Sequence, residues 1–385
     1  MNLFTTPWGE LDLTRFPEDP RDPLRAWDAA DEYLLRQLAG TDEAAPTDLS
    51  GSVVVVGDRW GALTTALASH RPVQITDSYL AQRATLANLA RAGADPHGVR
   101  LLSVRDTPPD RIDVLLVRVP KSLALLEEQL HRLAPALHPG TAVIGTGMVK
   151  EIHTSTLRLF ERIVGPTRTS LAVKKARLVF ADPAPDPGRV PSPWPHRYAL
   201  PDDVGAVSGR TVTNHAGIFC AERLDIGTRF FLKHLPHRSG PDHVVDLGCG
   251  NGVVGTSAAL ANPDATVTFV DESYQAVASA EETFRTNLGP DAPAAFVVGD
   301  GLAGIPRAGA DLVLSNPPFH SHQAVTDATA RRMFHGAHSA LRSGGELWVV
   351  GNRHLGHHTQ LRRTFGNCAI VASDPKFVVL RAVRR

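Results

Sequence analysis

HVVDLGCGNGVVG, residues 243–255, is the stretch whose reading decides the fold. Val244 to Leu247 is a short apolar run of buried-strand type, and Gly248, Gly250 and Gly252 follow it at alternate positions. The apolar residues from Val253 onward predict a helix. The turn therefore opens a helix N-terminus, where unpaired backbone N–H groups await a polar ligand and glycines let it come close. Cys249 and Asn251 complete the turn, Cys249 as a small filler. VTFVDES ends a second predicted strand at Asp271, followed by Glu272, and a carboxylate there can accept hydrogen bonds from ribose hydroxyls. AFVVGD ends a third strand at Asp300, next to Gly301, where it could meet an adenine amine. Gly250, Gly252 and Gly255 also spell G-x-G-x-x-G, which by itself would suggest NAD. Asp246 inside the strand end and Gly248 directly after it resemble S-adenosylmethionine sites instead, and the strand ends at Asp300 and Asn316 break the tie in that direction.

The second deciding stretch is SNPPFH, residues 315–320, at the end of a fourth predicted strand. Pro317 and Pro318 restrict the backbone and remove two N–H donors, so nearby carbonyls can point outward as acceptors. The Asn316 amide oxygen and one such carbonyl could hold both protons of an exocyclic NH2, while Phe319 offers a stacking face. An amine so held presents its lone pair to a sulfonium methyl, with alignment rather than a strong base doing the catalysis. Taken alone, NPPF could equally be a rigid turn. After a glycine loop and two acid-ended strands, the amine clamp is the better reading.

At 385 residues the chain is long enough for two domains with their own cores. Lys plus Arg equals Asp plus Glu, 40 each, so overall charge points to no partner, but its distribution is uneven. Residues 1–50 hold 11 acids against 4 bases, and residues 331–385 hold 10 bases against 2 acids, a basic end suited to phosphate backbone. Three widely spaced cysteines make a disulfide framework or zinc site improbable, and a reduced cytoplasm fits. The 17 histidines lack ligand spacings, so no metal is expected. No apolar run approaches transmembrane length, so no membrane partner is expected, and Glu10 and Asp12 stand where an export signal would be basic and apolar.

The chain repeats itself. GSVVVVGDRWGAL at residues 51–63 resembles the deciding stretch, VQITDSYL from Val73 resembles VTFVDES, and DVLLVRVPKS from Asp113 stands where DLVLSNPPFH from Asp311 stands. HPGTAVIGTG from His138 likewise matches SGGELWVVGN from Ser343. Four matched segments in one order predict two copies of one α/β unit. The first copy carries Arg59 and Trp60 in its glycine loop and Arg118-Val119-Pro120 at the NPP position, so it reads as a fold kept without catalysis; Asp77 reads as a surviving strand-end acid. A basic patch (Arg158, Arg162, Arg168, Lys174, Lys175, Arg177) and then the Pro-rich run 181–195 follow. The expected division is 1–180 as a degenerate methyltransferase-like domain in a supporting or RNA-gripping role, 181–210 as linker, and 211–385 as the catalytic domain. Residues 22–38, 151–164, 224–235 and 330–341 are expected to be helical, residues 346–350 a fifth strand, and AIVAS with KFVVLRAV a closing hairpin. Phe219, in a loop ahead of the catalytic unit, is either a cofactor wall or a core residue.

DLGCGNGVVG, FVDES, SNPPFH, GNRHL, FGNC and KFVVLRAV, preceded by MVK, KKARL and LDIGTRFFLKHLP, resemble the ribosomal RNA guanine-N2 methyltransferases over essentially the whole chain. The large-subunit enzymes are the nearer branch, the small-subunit enzymes its sister. The resemblance implies two tandem Rossmann-like class I domains and S-adenosylmethionine-dependent methylation of a guanosine amine in 23S rRNA, as naked RNA or in an assembly intermediate. By position it implies Gly248, Gly250 and Gly252 as the cofactor loop, Asp271 as the ribose contact, Asp300 as the adenine contact, and Asn316 to Phe319 as the clamp. The acidic lead-in and Pro-rich linker depart from the family and leave the nucleoside open. Other readings are a 16S rRNA enzyme, an amino-methyltransferase on protein glutamine or a DNA base, and a non-catalytic ribosome-binding protein.

Overall fold

Apolar strand runs alternating with amphipathic stretches build the same seven-stranded sheet twice in the computed structural model, once in Met1–Pro193 and once in Trp194–Arg385. Residues 3–19, 22–40, 45–185, 191–318 and 323–385 are described, with the side chains of 323–327 excepted. Phe319, His320, His322 and the middle of the Pro-rich run therefore lie outside the described residues.

The first unit begins with a hairpin, β1 (Leu3–Thr6) and β2 (Gly9–Asp12), then α1 (Ala29–Ala39). There follow β3 (Val53–Val56), α2 (Ala62–Ala66), β4 (Val73–Thr76), α3 (Tyr79–Arg91), β5 (Arg100–Ser103), β6 (Val114–Arg118), α4 (Leu123–Leu133), β7 (Ala142–Met148), α5 (Thr154–Ile163), β8 (Thr167–Thr169) and β9 (Ala176–Ala181). The sheet order is β5-β4-β3-β6-β7-β9-β8, parallel from β5 to β7 and antiparallel at β9 and β8.

The second unit repeats this plan. After the hairpin β10 (His196–Ala199) and β11 (Thr211–Asn214) come α6 (Ile226–Leu232), β12 (His243–Leu247), α7 (Val253–Ala261), β13 (Thr266–Asp271), α8 (Tyr274–Leu288) and β14 (Ala294–Val298). β15 (Ala310–Ser315), α9 (Gln323–Ala340), β16 (Leu341–Asn352), α10 (His357–Phe365), β17 (Ala369–Ser373) and β18 (Phe377–Val383) complete it, in the order β14-β13-β12-β15-β16-β18-β17. Central strands covered on both faces are near-continuous apolar runs. Thus Val244, Leu312 and Leu314 enter the core on one side, and Val245, Leu247 and Val313 the core on the other. Among the described residues no helix is long and apolar enough to cross a membrane.

Several boundaries differ from expectation for local reasons. α1 starts at Ala29, not near Asp22, because Asp28 caps it: its side chain accepts from Ala30 N–H, and the Asp31 carboxylate accepts from Asp28 N–H. α5 starts at Thr154 after a short 3₁₀ turn at Val149–Glu151. α9 begins earlier than expected, at Gln323, and β16 spans Leu341–Asn352, where only residues 346–350 were expected.

One reading is corrected by register. Gly57 N–H donates to Ile75 O at 3.0 Å, as Gly248 N–H donates to Val270 O at 2.8 Å. Ser78 and Ser273 cap α3 and α8 alike. Counting from these marks, Thr76 occupies the position of Asp271, and Asp77 that of Glu272. The strand-end acid of the first unit is therefore lost, and Asp77 is not its survivor.

The same register sets Arg118 opposite Asn316. The Arg118 side chain, 1% exposed, faces Asp28 Oδ2 at 2.6 Å, Glu151 Oε2 at 3.1 Å and Asp31 Oδ1 at 3.4 Å. Arg59, from the altered glycine loop, adds a bond to Glu151 at 2.9 Å. Burial favours neutral Glu151, but Arg118 and Arg59 outweigh it and hold the carboxyl at about 2. Asp31 goes the other way: burial pushes it up to about 7 against the pull of Arg118. Removing one partner of such a cluster strands buried charge. Arg118→Met should therefore destabilise the first unit by about 3–5 kcal/mol, seen in denaturant unfolding of the full chain followed by Trp fluorescence; an unchanged midpoint would show that the cluster is not holding the unit.

Candidate active site

In an open α/β sheet, ligands bind outside the carboxyl ends of the strands where the strand order reverses. In the second unit that point lies between β12 and β15, and the sequence puts the glycine loop at the end of one and Asn316 just past the other. Ser315 Oγ ties the two ends together by donating to Leu247 O at 2.9 Å.

The glycines divide by task. Gly252 opens α7 at φ +74°, and a Cβ there would lie 2.7 Å from Ala280 Cα, so its bareness lets α7 and α8 touch. Gly255 likewise packs against Phe269. Gly250, at φ +53°, is different, because a Cβ there meets nothing within 4 Å. Its N–H donates to Asp271 Oδ2 at 3.0 Å, and Ser273 N–H donates to Oδ1 at 3.0 Å. With a further backbone bond from Glu272, they take up most of the carboxylate's roughly four acceptor sites and leave about one for a ligand hydroxyl. Burial raises Asp271 above the usual carboxylate range against the pull of those bonds.

Other predicted residues play supporting parts. Asp246 is buried and accepts from Gly255 N–H at 2.8 Å, holding the first turn of α7. Burial pushes it up to about 8 in spite of that bond, and neighbouring Asp271 adds to the rise. Cys249 turns into the core, where burial pushes its thiol far up, while its N–H donates to Val270 O at 3.0 Å. Asn251 Nδ2 donates to Asn214 Oδ1 at 2.9 Å. Asp300 and Gly301 lie past the end of β14, and the Asp300 carboxylate is paired with Arg332 of α9. Phe219 is about half exposed, at 53%, and so is not a core residue. Glu272 follows directly on Asp271. Among the described residues no group of three His, Cys, Asp or Glu could hold a metal ion.

Asn316 is where polar chemistry is left open. Its Nδ2 donates to Thr228 Oγ1 at 2.9 Å, while its Oδ1 is buried with no hydrogen-bond partner. Pro317 and Pro318 follow and offer no N–H to satisfy it. Thr228 is the residue that the sequence reading missed. It stands three places after Asp225, the N-cap of α6, whose carboxylate accepts from Thr228 N–H at 2.9 Å. The D-x-x-T pattern opening an amphipathic stretch was the available signal.

The sequence matches the family described as RLMG N-terminal domain over residues 1–185 and the family described as Methyltransferase small domain over residues 209–381. A Streptomyces griseus protein named Ribosomal RNA large subunit methyltransferase G is 75% identical over 386 residues, covering 100% of both chains. The chain belongs to the ribosomal RNA large subunit methyltransferase G family. A Pseudomonas aeruginosa member of that family is 51% identical, covering 99% of this chain and 100% of its own. The fold is also that of the T. Thermophilus 16S rRNA N2 methyltransferase RsmC, solved in complex with AdoMet and Guanosine. That likeness has a TM-score of 0.75 at 18% identity and covers 100% of this chain and 97% of the other. This member of the methyltransferase G family carries both seven-stranded sheets, and its loop at Gly250 with Asp271 fits a ribose-bearing cofactor.

Two predictions follow from the loop. Gly252→Ala should destabilise the second unit by about 2–5 kcal/mol, from left-handed strain and overpacking against Ala280. Gly250→Ala should cost only about 1–2 kcal/mol yet weaken S-adenosylmethionine binding at least about tenfold by calorimetry, since its methyl enters the open space; equal effects at both sites would refute this division. Asp246 sets a pH dependence. Between the ordinary carboxylate pKa of 3.8 and about 8 the folded state keeps a proton that the unfolded chain has lost, so stability falls as pH rises through that window. Asp246→Asn should flatten the decline by up to one proton, about 1.4 kcal/mol per pH unit, in unfolding curves from pH 5 to 8.5; a parallel decline in both proteins would sink it.

Proposed function

We propose that this chain transfers the methyl group of S-adenosylmethionine to the exocyclic N2 amine of a guanosine in 23S ribosomal RNA. The observation that carries the reading is the buried, unpartnered Oδ1 of Asn316 beside the glycine loop. A lone acceptor at the end of a strand is satisfied by a donor, and an exocyclic NH2 is the donor a nucleobase offers. The large-subunit relatives at 75% and 51% identity support the 23S choice over 16S, and the AdoMet and Guanosine of the RsmC complex support donor and base.

S-adenosylmethionine held there would supply an electrophilic methyl group, leaving as the neutral thioether S-adenosylhomocysteine, while the methylated amine would release one proton to solvent. The chain's own residues hold and aim. Gly248 to Gly252 present backbone at a helix N-terminus, and Asp271 accepts from a ribose hydroxyl. Asn316 Oδ1 accepts one amine proton and an adjoining backbone carbonyl the other, which fixes the lone pair's direction. Phe319 provides the stacking face. Asp300 can reach an adenine amine only by sharing its carboxylate with Arg332. The second unit, Trp194–Arg385, is the catalytic domain, taking in the β10–β11 hairpin that begins inside the stretch expected as linker, and the first unit, Met1–Pro193, supports it and holds RNA. Three of the six cations of the first unit's basic patch are engaged, Lys174 with Glu32 at 2.9 Å, Arg162 with Glu127 at 2.5 Å and Arg168 over the Phe180 ring at 4.4 Å, which leaves that grip mainly to Arg158, Lys175 and Arg177. A ribosomal RNA substrate places the activity in the cytoplasm.

Asn316→Ala should lower methyl transfer to protein-free 23S rRNA lacking the modification by at least about 100-fold, with S-adenosylmethionine affinity within about threefold. Transfer at the wild-type rate would remove the clamp from the mechanism.

A further inference from the structure

We propose that Thr228 and Asp225 form a one-way hydrogen-bond relay that fixes which end of the Asn316 amide faces the substrate. They would thereby make the clamp select an amine over a carbonyl. This deepens the proposed function and rests on its reading of Asn316 as the amine acceptor.

The inference comes from proton counting. Asp225 Oδ2 accepts from Thr228 N–H at 2.9 Å and from the Thr228 hydroxyl at 3.2 Å. A carboxylate accepts and does not donate, and a hydroxyl has one proton to give. With that proton committed to Asp225, Thr228 Oγ1 can only accept from its other neighbour. The neighbour, 2.9 Å away, is the Asn316 amide, which must therefore present its NH2 to Thr228. Oδ1 is left pointing away from the relay, without a partner. Were the hydroxyl absent, either end of the amide could face the substrate, and an NH2 turned outward would repel an amine and welcome a carbonyl. Thr228 and Asp225 are positioning residues, acting on the substrate through Asn316.

The first unit supplies an independent comparison. Its N-cap acid, the residue three places later and the residue at the end of the fourth parallel strand are Asp28, Asp31 and Arg118, the counterparts of Asp225, Thr228 and Asn316. They too are in mutual contact, at 2.6 Å and 3.4 Å from Arg118. The fold brings these three positions together in both units, and only the second follows its N-cap acid with two neutral, directional groups, Thr228 and Asn316.

The test uses the full chain saturated with S-adenosylhomocysteine and titrates guanosine against inosine, which lacks the 2-amino group. Wild type should prefer guanosine at least about tenfold, since an unmet buried acceptor costs about 1.4 kcal/mol or more. Thr228→Val keeps the side-chain shape and the backbone bond to Asp225 but removes the hydroxyl; the preference should fall to within about twofold of unity. Thr228→Ser should restore it. With rRNA as substrate, Thr228→Val should lower kcat about tenfold or more while KM stays within about twofold, and Thr228→Ser should recover most of the rate. A Thr228→Val protein that keeps the wild-type preference and kcat overturns the relay. A wild-type protein that fails to distinguish guanosine from inosine overturns the amine reading itself, and the relay with it.

Discussion

The contact between two helix backbones at Gly252 and Ala280 is the constraint on which the second unit depends. It is possible only with no side chain at residue 252 and with a left-handed backbone there, and it brings α7 and α8 together beside the end of β12. The loop of residues 248–252 is then short, rigid and pressed against the end of β13, where Val270 O and the Asp271 carboxylate take its N–H groups. The first unit keeps the same device, with Gly61 at φ +77° against Thr85. Since that unit has exchanged its other site residues, this glycine belongs to the fold's geometry and not to any one chemistry.

The site itself is assembled from pieces far apart in the chain: the start of α6, the loop after β12, the end of β13 and the turn after β15. None of these is catalytic alone. The parallel sheet brings the last three to one edge, and the helix preceding its first strand contributes the fourth through Thr228. Much of the local polar capacity is used up internally, by Asp246 on Gly255 and by Asn251 on Asn214. Buried acceptors are ordinarily paired, and among those left open here, Asn352 Oδ1 and Gln360 Oε1 included, the amide oxygen of Asn316 is the one set past the end of β15 next to the glycine loop.

The strands, the glycine turn, the doubling of the fold and the NPP segment were legible in the sequence because each is carried by local periodicity or by residues with restricted backbones. What escaped were relations across the sheet. The register at Asp77 was off by one residue, since TDS and DES align by eye on the acid, whereas the backbone bonds at Gly57 and the serine caps align them on the serine. The Asp300 pairing with Arg332 joins a strand end to a helix 32 residues later and leaves no periodic trace. The late start of α1 could have been found, because D-x-x-D before an apolar stripe is a capping signal, and the same signal at Asp225 would have pointed to Thr228.

Arg118 has a consequence for how such a chain can change. Three carboxylates crowd the Arg118 guanidinium at the position that Asn316 holds in the second unit, so exchanging Arg118 alone for Asn would leave Arg59 as their remaining cation. Fitting an amide there would require the acids around it, Asp31 and Glu151, and Arg59 beside them, to change as well. The sheet end of the first unit is in this sense plugged by ions, and a single exchange at residue 118 does not open it.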